Sequence, residues 1–247
     1  MPQANAHSKD DLETRRHSAA HVLAEAVLEL FPDARLGIGP AVEDGFYYDF
    51  DLPRTLTPDD LEAIEGRMKA IIAADKPFSR RELPRDDALG HFGSAGQTYK
   101  VELIEALTGG MSLGARDDLA ASNDAAALGT TGVSLYRQGG FEDLCAGPHV
   151  SSTAQIGAVK LLRVAGAYWR GDEKRAQLQR IYGTAWPTQA DLDGYLWRLE
   201  EARKRDHRRL GTDLGLFQFN DQVGAGLPIW GEDGALLRSI VEDFWKV

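Results

Sequence analysis

Several stretches of the 247-residue chain repeat hydrophobic residues at the three- and four-residue spacing that is typical of amphipathic helices. These predicted helices cover residues 11–31, 57–74, 188–210 and 232–245. Pro32 ends the first of them, while Thr57 and Pro58 supply a capping side chain and a first-turn proline for the second. A shorter helix is predicted over residues 85–92.

Strands are predicted where aromatic and β-branched residues lie between turn residues. They occupy residues 36–50 (as strand, turn and strand), 77–84, 99–104, 134–136 and 158–164, and a hairpin over residues 168–186 turns at Gly171-Asp172. Residues 107–130 are rich in glycine, alanine, serine and aspartate, so we predict a surface insertion or long loop there. This succession of strands and helices predicts an α+β fold.

Charge and composition narrow the classes of function. A formal net charge of −10 argues against binding nucleic-acid backbone over a large surface, although the basic residues between Arg203 and Arg209 would allow a local contact. No apolar run approaches the roughly 20 residues that span a bilayer, so we expect no membrane partner. The single cysteine, Cys145, excludes an internal disulfide and predicts a reducing, cytoplasmic setting.

Two histidine-containing pairs are the candidates for chemistry. His17 and His21 are four residues apart, so they share one face of the first predicted helix. Cys145 and His149 are also four apart, and the Ala-Gly-Pro insert between them predicts a turn. If the fold joins the pairs, their donors suit a tetrahedral zinc ion, or a histidine can activate water without metal. Spacing alone equally allows ordinary core residues, and Asp143 is near enough in sequence to orient an imidazole.

Long blocks, in order along nearly the whole chain, resemble the editing region of bacterial threonyl-tRNA synthetases. These blocks are HSAAHVLAEAV (17–27), GIGPAVEDGFYYDFD (37–51), RTLTPDDLEAIEGRM (54–68), YKVELI (99–104), SLYRQGGFEDLCAGPHV (134–150) and AGAYWRGDEKRAQLQRIYGTAWP (165–187). A further block, RDHRRLGTDLGLF (205–217), resembles the entry to the class II catalytic domain of the same enzymes. The first dozen residues and residues 107–130 lie outside the resemblance.

The resemblance implies an editing domain over residues 1–187, with antiparallel sheets and packed helices. It also implies a linker helix over residues 188–206 and an N-terminal fragment of the class II aminoacylation domain over residues 207–247. The later motifs that hold ATP are not among these residues, so we expect the chain not to charge tRNA. The implied function is hydrolysis of seryl-tRNA(Thr), because a synthetic site discriminates poorly against serine, which lacks one methyl group of threonine.

The same resemblance implies roles for single residues. His17 would activate water, and Lys100 would assist proton transfer and stabilise the oxyanion. The residues implied to line the pocket or position the substrate are His21, Tyr48, Asp143, Cys145 and His149.

Cofactors and partners are implied as well. Related alanyl-type editing domains hold zinc with a set similar to His17, His21, Cys145 and His149, whereas the threonyl-type resemblance favours editing without metal. ATP, magnesium and a catalytic zinc would belong only to the later catalytic domain. The expected partner is the acceptor end of tRNA(Thr) carrying serine, and the full-length enzyme would be a homodimer. Two alternatives stay open at this point: an RNA-binding or structural module with structural zinc, and a broader deacylase that acts on alanyl-tRNA.

Overall fold

The computed structural model describes residues 8–108, 132–220, 222–224 and 226–246, within which the chain divides into two units between Leu192 and Asp193. The helices of the first unit are α1 (Lys9–Leu30), α2 (Pro58–Ala73), α3 (Arg85–Ser94) and α4 (Thr98–Thr108). Its strands are β1 (Arg35–Leu36), β2 (Ala41–Val42), β3 (Gly45–Asp51), β4 (Phe78–Leu83), β5 (Val133–Gln138), β6 (Phe141–Leu144), β7 (Ala158–Tyr168) and β8 (Gln177–Trp186).

Helix α1 is buried around its whole circumference for three turns. Every residue from Arg16 to Val27 is buried, and several of them are alanines that let neighbouring elements approach closely. The helix begins at an N-cap, Ser8, whose side chain accepts a hydrogen bond from the Asp11 amide. Its polar residues between Arg16 and Val27 therefore lie inside the protein and not on its surface.

Two antiparallel sheets lie beside α1. The larger has the order β1-β3-β8-β7, with β2 paired to β3, and its apolar face packs with α1 and α2 into the main core. The smaller has the order β4-β5-β6. All of these pairings are antiparallel, so the predicted α+β class with antiparallel sheets is confirmed for the described residues.

Helix α4 packs in a second core and is fixed to the turn between β7 and β8. Tyr99 and Leu103 are buried in this core, together with Trp169 from the turn. The Glu102 carboxylate accepts two hydrogen bonds of 2.7 Å from Arg175, and it accepts another from Nε1 of Trp169 at 3.1 Å. These charge-assisted bonds hold the helix that carries Lys100 in one position.

The strand predicted over residues 99–104 is wrong, because these residues belong to α4. Their alternation of polar and apolar residues covers only six positions, and so short a run also fits the helical period. Burial favours the helix, since Tyr99, Leu103 and Ile104 are all inside the second core. The helical turn also brings Lys100 to the interior, where its side chain is 0% exposed.

The other predicted helices and strands of the first unit are confirmed with small changes of length, except that the hairpin predicted over residues 168–186 is formed by β7 and β8. Helix α2 begins at the predicted cap, Thr57, and the structure adds a reciprocal hydrogen bond from the Thr57 amide to the Asp60 side chain. Strand β7 extends to Tyr168 and joins β8 through a turn longer than the one predicted at Gly171-Asp172. Strand β6 was not predicted. The insertion predicted over residues 107–130 lies, apart from its first two residues, outside the described residues.

The second unit contains the rest of α5 (Gln189–Lys204), which begins before the boundary, and the remaining elements of the chain. These are α6 (His207–Asp213), β9 (Phe217–Phe219), β10 (Pro228–Trp230) and α7 (Glu232–Trp245). The helix predicted over residues 188–210 is divided in two, because Asp206 caps a new helix by accepting from the Arg208 amide. Helix α7 matches its prediction. Among the described helices, none combines the length and the apolar character needed to cross a bilayer.

Candidate active site

Three histidines and the single cysteine meet in the interior of the first unit. His17 and His21 come from α1, whereas Cys145 and His149 follow β6. One nitrogen or sulfur atom from each of these residues lies within 4.8 Å of the others. Both His17 and His149 have Nε2 at 3.3 Å from the sulfur of Cys145. The two sequence-distant pairs therefore form one cluster, which we call the His/Cys cluster.

The outer nitrogens of two imidazoles are held by fixed partners. Nδ1 of His17 lies 3.1 Å from the carbonyl oxygen of Pro148, which can only accept, so Nδ1 carries the proton. Nδ1 of His149 lies 3.0 Å from Oγ of Ser18. That hydroxyl donates to the carbonyl of Thr14 and accepts from the Val150 amide, which leaves one lone pair for His149. Both imidazoles therefore present an unprotonated Nε2 to the cysteine sulfur.

Burial makes the three imidazoles neutral. It lowers the pKa of His17 from 6.5 to about 4, and the nearby positive charge of Lys100 contributes to the lowering. The pKa values of His21 and His149 are lowered well below the ordinary value, again mainly through burial. At neutral pH the cluster therefore offers lone pairs that can accept a proton or bind a cation.

A buried ion pair lies next to the His/Cys cluster. Nζ of Lys100 is 2.9 Å from Oδ1 of Asp143, and the two side chains are 0% and 1% exposed. Oδ2 of Asp143 accepts a short hydrogen bond from the hydroxyl of Tyr48, and the Lys100 ammonium lies 5.5 Å from the centre of the Tyr48 ring. The charge of Lys100 lowers the pKa of both His17 and His21, so this positive group is close enough to act on the cluster.

Two glycines allow the backbone to approach the aromatic rings of the site. Gly147 has a φ of +80°, and a Cβ there would overlap the ring of Tyr136, which packs 4.5 Å from the ring of His149. Gly39 lies directly against the ring of Tyr48, and a Cβ at this position would overlap it. The absence of a side chain at Gly39 therefore lets the ring of Tyr48 fit into the core.

A cavity of about 300 Å³ reaches the cluster at its His17 side. It is lined by Asp10, Glu13, Thr14, His17 and Pro148. His17 is only 2% exposed and is the only cluster residue among those that line this cavity, whereas His149 is the partly exposed member of the cluster. A small molecule or the end of a chain can approach His17 from this side.

Sequence reasoning missed the residues that support the cluster. Ser18 bonds His149 and the Val150 amide, and Phe78 stacks on the His149 ring with ring centres 4.8 Å apart. Gln138 is fully buried and acts on the pKa of His21. Of these residues, only Ser18 could have been suspected from its position, because it follows His17 on the predicted helix. Nothing in the sequence connects Ser18 to His149 and Val150, which are more than 100 positions away.

Part of the chain matches a described protein family. Residues 133–182, which contain Asp143, Cys145 and His149, match the family described as "Threonyl and Alanyl tRNA synthetase second additional domain". The fold and site therefore define an editing module of an aminoacyl-tRNA synthetase.

Relatives similar over almost the whole chain specify the family further. The chain is 52% identical to a "Threonine--tRNA ligase" of Acidithiobacillus ferrooxidans over 97% of its length, which is 34% of that protein. It is 52% identical to one from Dehalococcoides mccartyi, over 96% of the chain and 37% of the relative. A third, from Solidesulfovibrio magneticus, is 54% identical over 93% of the chain and 32% of the relative. The chain belongs to the threonyl-tRNA synthetase family and spans about a third of the length of these curated relatives.

Proposed function

We propose that this chain hydrolyses the ester bond of seryl-tRNA(Thr), as the editing part of a threonine–tRNA ligase. The observation that carries the proposal is the proximity of two chemical groups in one buried site. A neutral imidazole, His17, borders a cavity, and a buried ammonium group, Lys100, lies close enough to lower the pKa of that imidazole. A base for water and a positive charge for an oxyanion are the two requirements of metal-free ester hydrolysis.

His17 is the proposed general base. Its Nδ1 proton is donated to the carbonyl of Pro148, so its Nε2 can take a proton from a water that attacks the ester carbon. A pKa of about 4 keeps the imidazole unprotonated at neutral pH but also makes it a weak base. The base therefore needs help from stabilisation of the charge that develops on the substrate.

Lys100 is proposed to supply that stabilisation. When water adds to the ester carbonyl, a negative charge forms on the carbonyl oxygen, and a buried ammonium group stabilises it far better than one in bulk water. The tetrahedral intermediate then breaks its bond to the ribose oxygen, which takes up the proton that His17 removed from the water and leaves as the free tRNA end. Serine is the second product. Asp143 and Tyr48 hold Lys100 in position.

Cys145, His21 and His149 are proposed to shape the pocket for the amino-acid part of the substrate. They are closely packed, with Phe78 stacked on the His149 ring and the Tyr136 ring tilted against it. A rigid wall can exclude the additional methyl group of threonine by steric overlap, which is a stronger discrimination than the roughly 1–3 kcal/mol gained by binding a methyl group.

The remaining partners and boundaries are part of the same proposal. The acceptor end of tRNA(Thr) would bring the ester to His17, in the cytoplasm, and the whole ligase would act as a homodimer. Residues 1–187 would form the editing domain, residues 188–206 the linker helix and residues 207–247 the beginning of the aminoacylation domain, without aminoacylation activity of their own.

The His/Cys cluster also fits a zinc ion. Its donors are imidazole nitrogen and thiol sulfur, and two Nε2 lone pairs face one sulfur whose single proton can satisfy only one of them. His17, His21, Cys145 and His149 would hold the ion. Bound there, zinc would supply either a structural cross-link or Lewis-acid chemistry. The alternative of a structural zinc module rests on this donor set.

Replacement of His17 by alanine tests the proposed function. The variant should lose at least about 100-fold in the rate of seryl-tRNA(Thr) hydrolysis, which is the usual contribution of a general base. His207→Ala, which removes an exposed histidine of the second unit, should hydrolyse at the wild-type rate. Full activity in His17→Ala with an intact fold would favour a structural role for the cluster instead.

A further inference from the structure

Four polar atoms close to the His/Cys cluster are buried without a hydrogen-bond partner. They are Nδ1 of His21, Oε1 and Nε2 of Gln138, and Oε2 of Glu25. The three side chains are 2%, 0% and 4% exposed, respectively. Buried polar groups in proteins are nearly always paired, so a group of unpaired atoms around one position needs an explanation.

These atoms belong to neighbouring side chains. His21 and Glu25 are one helical turn apart on the same face of α1, and Gln138 ends β5. The carboxamide of Gln138 lies close enough to both residues to shift the pKa of each as a hydrogen-bonding group. Neither the amide oxygen nor the amide nitrogen of Gln138 has a hydrogen-bond partner, although the side chain acts on both His21 and Glu25.

One assignment of donors and acceptors satisfies all four atoms. Oε1 of Glu25 already accepts from the Lys76 ammonium at 3.2 Å, which leaves Oε2 as an acceptor. The amide nitrogen of Gln138 can donate only, so it matches Oε2 of Glu25. The amide oxygen of Gln138 can accept only, so it matches a protonated Nδ1 of His21. Two hydrogen bonds, one donated by His21 to Gln138 and one donated by Gln138 to Glu25, then use all four unpaired atoms.

We propose that Gln138 is a positioning residue, which accepts a hydrogen bond from Nδ1 of His21 and donates one to Glu25. This relay fixes the proton of His21 on Nδ1 and leaves its Nε2 unprotonated. At the end of the relay farthest from His21, the Glu25 carboxylate is paired with the Lys76 ammonium. Glu25 also borders a surface cavity of about 380 Å³.

The relay gives His21 the same arrangement that the other two histidines already have. Nδ1 of His17 is held by the carbonyl of Pro148, and Nδ1 of His149 is held by Ser18. With Gln138 as the third outer partner, all three imidazoles are fixed as the same tautomer. Outer partners of this kind orient an imidazole and raise its capacity to accept a proton or a cation at the other nitrogen.

Nuclear magnetic resonance of the histidine side chains tests this inference directly in the full chain. Nitrogen-15 shifts and couplings to the ring protons distinguish a protonated ring nitrogen from an unprotonated one. We expect His21, assigned by the loss of its signals in His21→Asn, to carry its proton on Nδ1 in the wild type. A proton on Nε2 of His21 in the wild type would overturn the proposal, whatever Gln138 variants show.

Gln138→Met is the corresponding variant, because methionine has a similar shape and no amide. His21 should then lose the pure Nδ1-protonated form and show a mixture of tautomers. The matched control is Gln97→Met, since Gln97 is also buried but bonds the backbone of Ala34 and Leu36 elsewhere. An unchanged tautomer in Gln138→Met, or an equal change in Gln97→Met, would contradict the relay.

A kinetic measurement rests on the proposed function as well. Gln138→Met should lower kcat for seryl-tRNA(Thr) hydrolysis by about 10–100-fold, the usual effect of removing an outer partner. KM should stay unchanged, because Gln138 does not line the cavity at His17. The tautomer is measured without substrate, so a chain that does not hydrolyse seryl-tRNA at all would disprove the function and leave the relay standing.

Discussion

Lys100 and Asp143 form an ion pair with a separation of 2.9 Å between Nζ and Oδ1, and solvent reaches almost none of either side chain. Lys100→Met would leave the Asp143 carboxylate buried without its partner, so the free energy of unfolding should fall by about 3–5 kcal/mol. Urea denaturation of the wild type and the variant measures this loss.

The double variant Lys100→Met/Asp143→Asn distinguishes the contribution of this ion pair to stability from its contribution to hydrolysis. Removing both charges should restore much of the stability, because no uncompensated charge is then buried. Hydrolysis of seryl-tRNA(Thr) should stay lost, because the positive group next to the ester is absent. Recovery of hydrolysis together with stability would show that Lys100 serves only the fold.

Acid should destabilise the metal-free chain through its buried histidines. The pKa of His17 is about 4 when folded and near 6.5 when unfolded, so the unfolded chain binds more protons between these values. The contribution of the neutral His17 imidazole to the free energy of unfolding is fully present above about pH 6.5 and is lost as pH falls toward 4. Burial lowers the pKa values of His21 and His149 in the same direction, and each group contributes at most about 1.4 kcal/mol per pH unit.

Urea denaturation at several pH values between about 8 and 5 measures this dependence. His17→Gln should flatten the curve, whereas His207→Gln, which changes an exposed residue, should leave it as in the wild type. Equal slopes in the wild type and in His17→Gln would mean that the imidazole of His17 is accessible to protons in the folded chain.

Ser18→Ala should disturb both stability and catalysis. The change leaves Nδ1 of His149 and the amide of Val150 without their common partner, which costs about 1–3 kcal/mol for buried groups. Seryl-tRNA(Thr) hydrolysis should also slow, because the His149 ring loses its orientation. Ser94→Ala is the control, since Ser94 makes one exposed hydrogen bond to the carbonyl of His91. Equal effects of the two changes would argue against the role of Ser18.

Metal removal tests how the His/Cys cluster takes part in hydrolysis. We expect a chain treated with a chelator, and shown by metal analysis to contain almost no zinc, to keep its activity on seryl-tRNA(Thr). The base and the positive charge in the proposed reaction both come from side chains, His17 and Lys100. Loss of activity that zinc restores and magnesium does not would assign the chemistry to a metal held by the cluster.

Residue spacing predicted the two halves of the His/Cys cluster, whereas their meeting was predicted only through the family resemblance. His17 and His21 share a helix face because of local spacing, whereas their contact with Cys145 depends on how β6 lies against α1. Lys100 was identified through the resemblance alone, and its block was assigned to a strand because six residues do not distinguish the two periods. The roles of Ser18 and Gln138 arise from contacts across more than 100 residues, which no local pattern encodes.

The most direct test of the proposed function compares two esters of the same tRNA. Purified chain in excess is mixed with seryl-tRNA(Thr) or threonyl-tRNA(Thr), and the release of free amino acid is followed in a single turnover. We predict that the serine ester is hydrolysed at least about ten times faster, because a pocket that excludes one methyl group discriminates by more than binding it would. Equal rates on the two esters, or no hydrolysis of the serine ester above the rate in buffer, would contradict the proposed editing function.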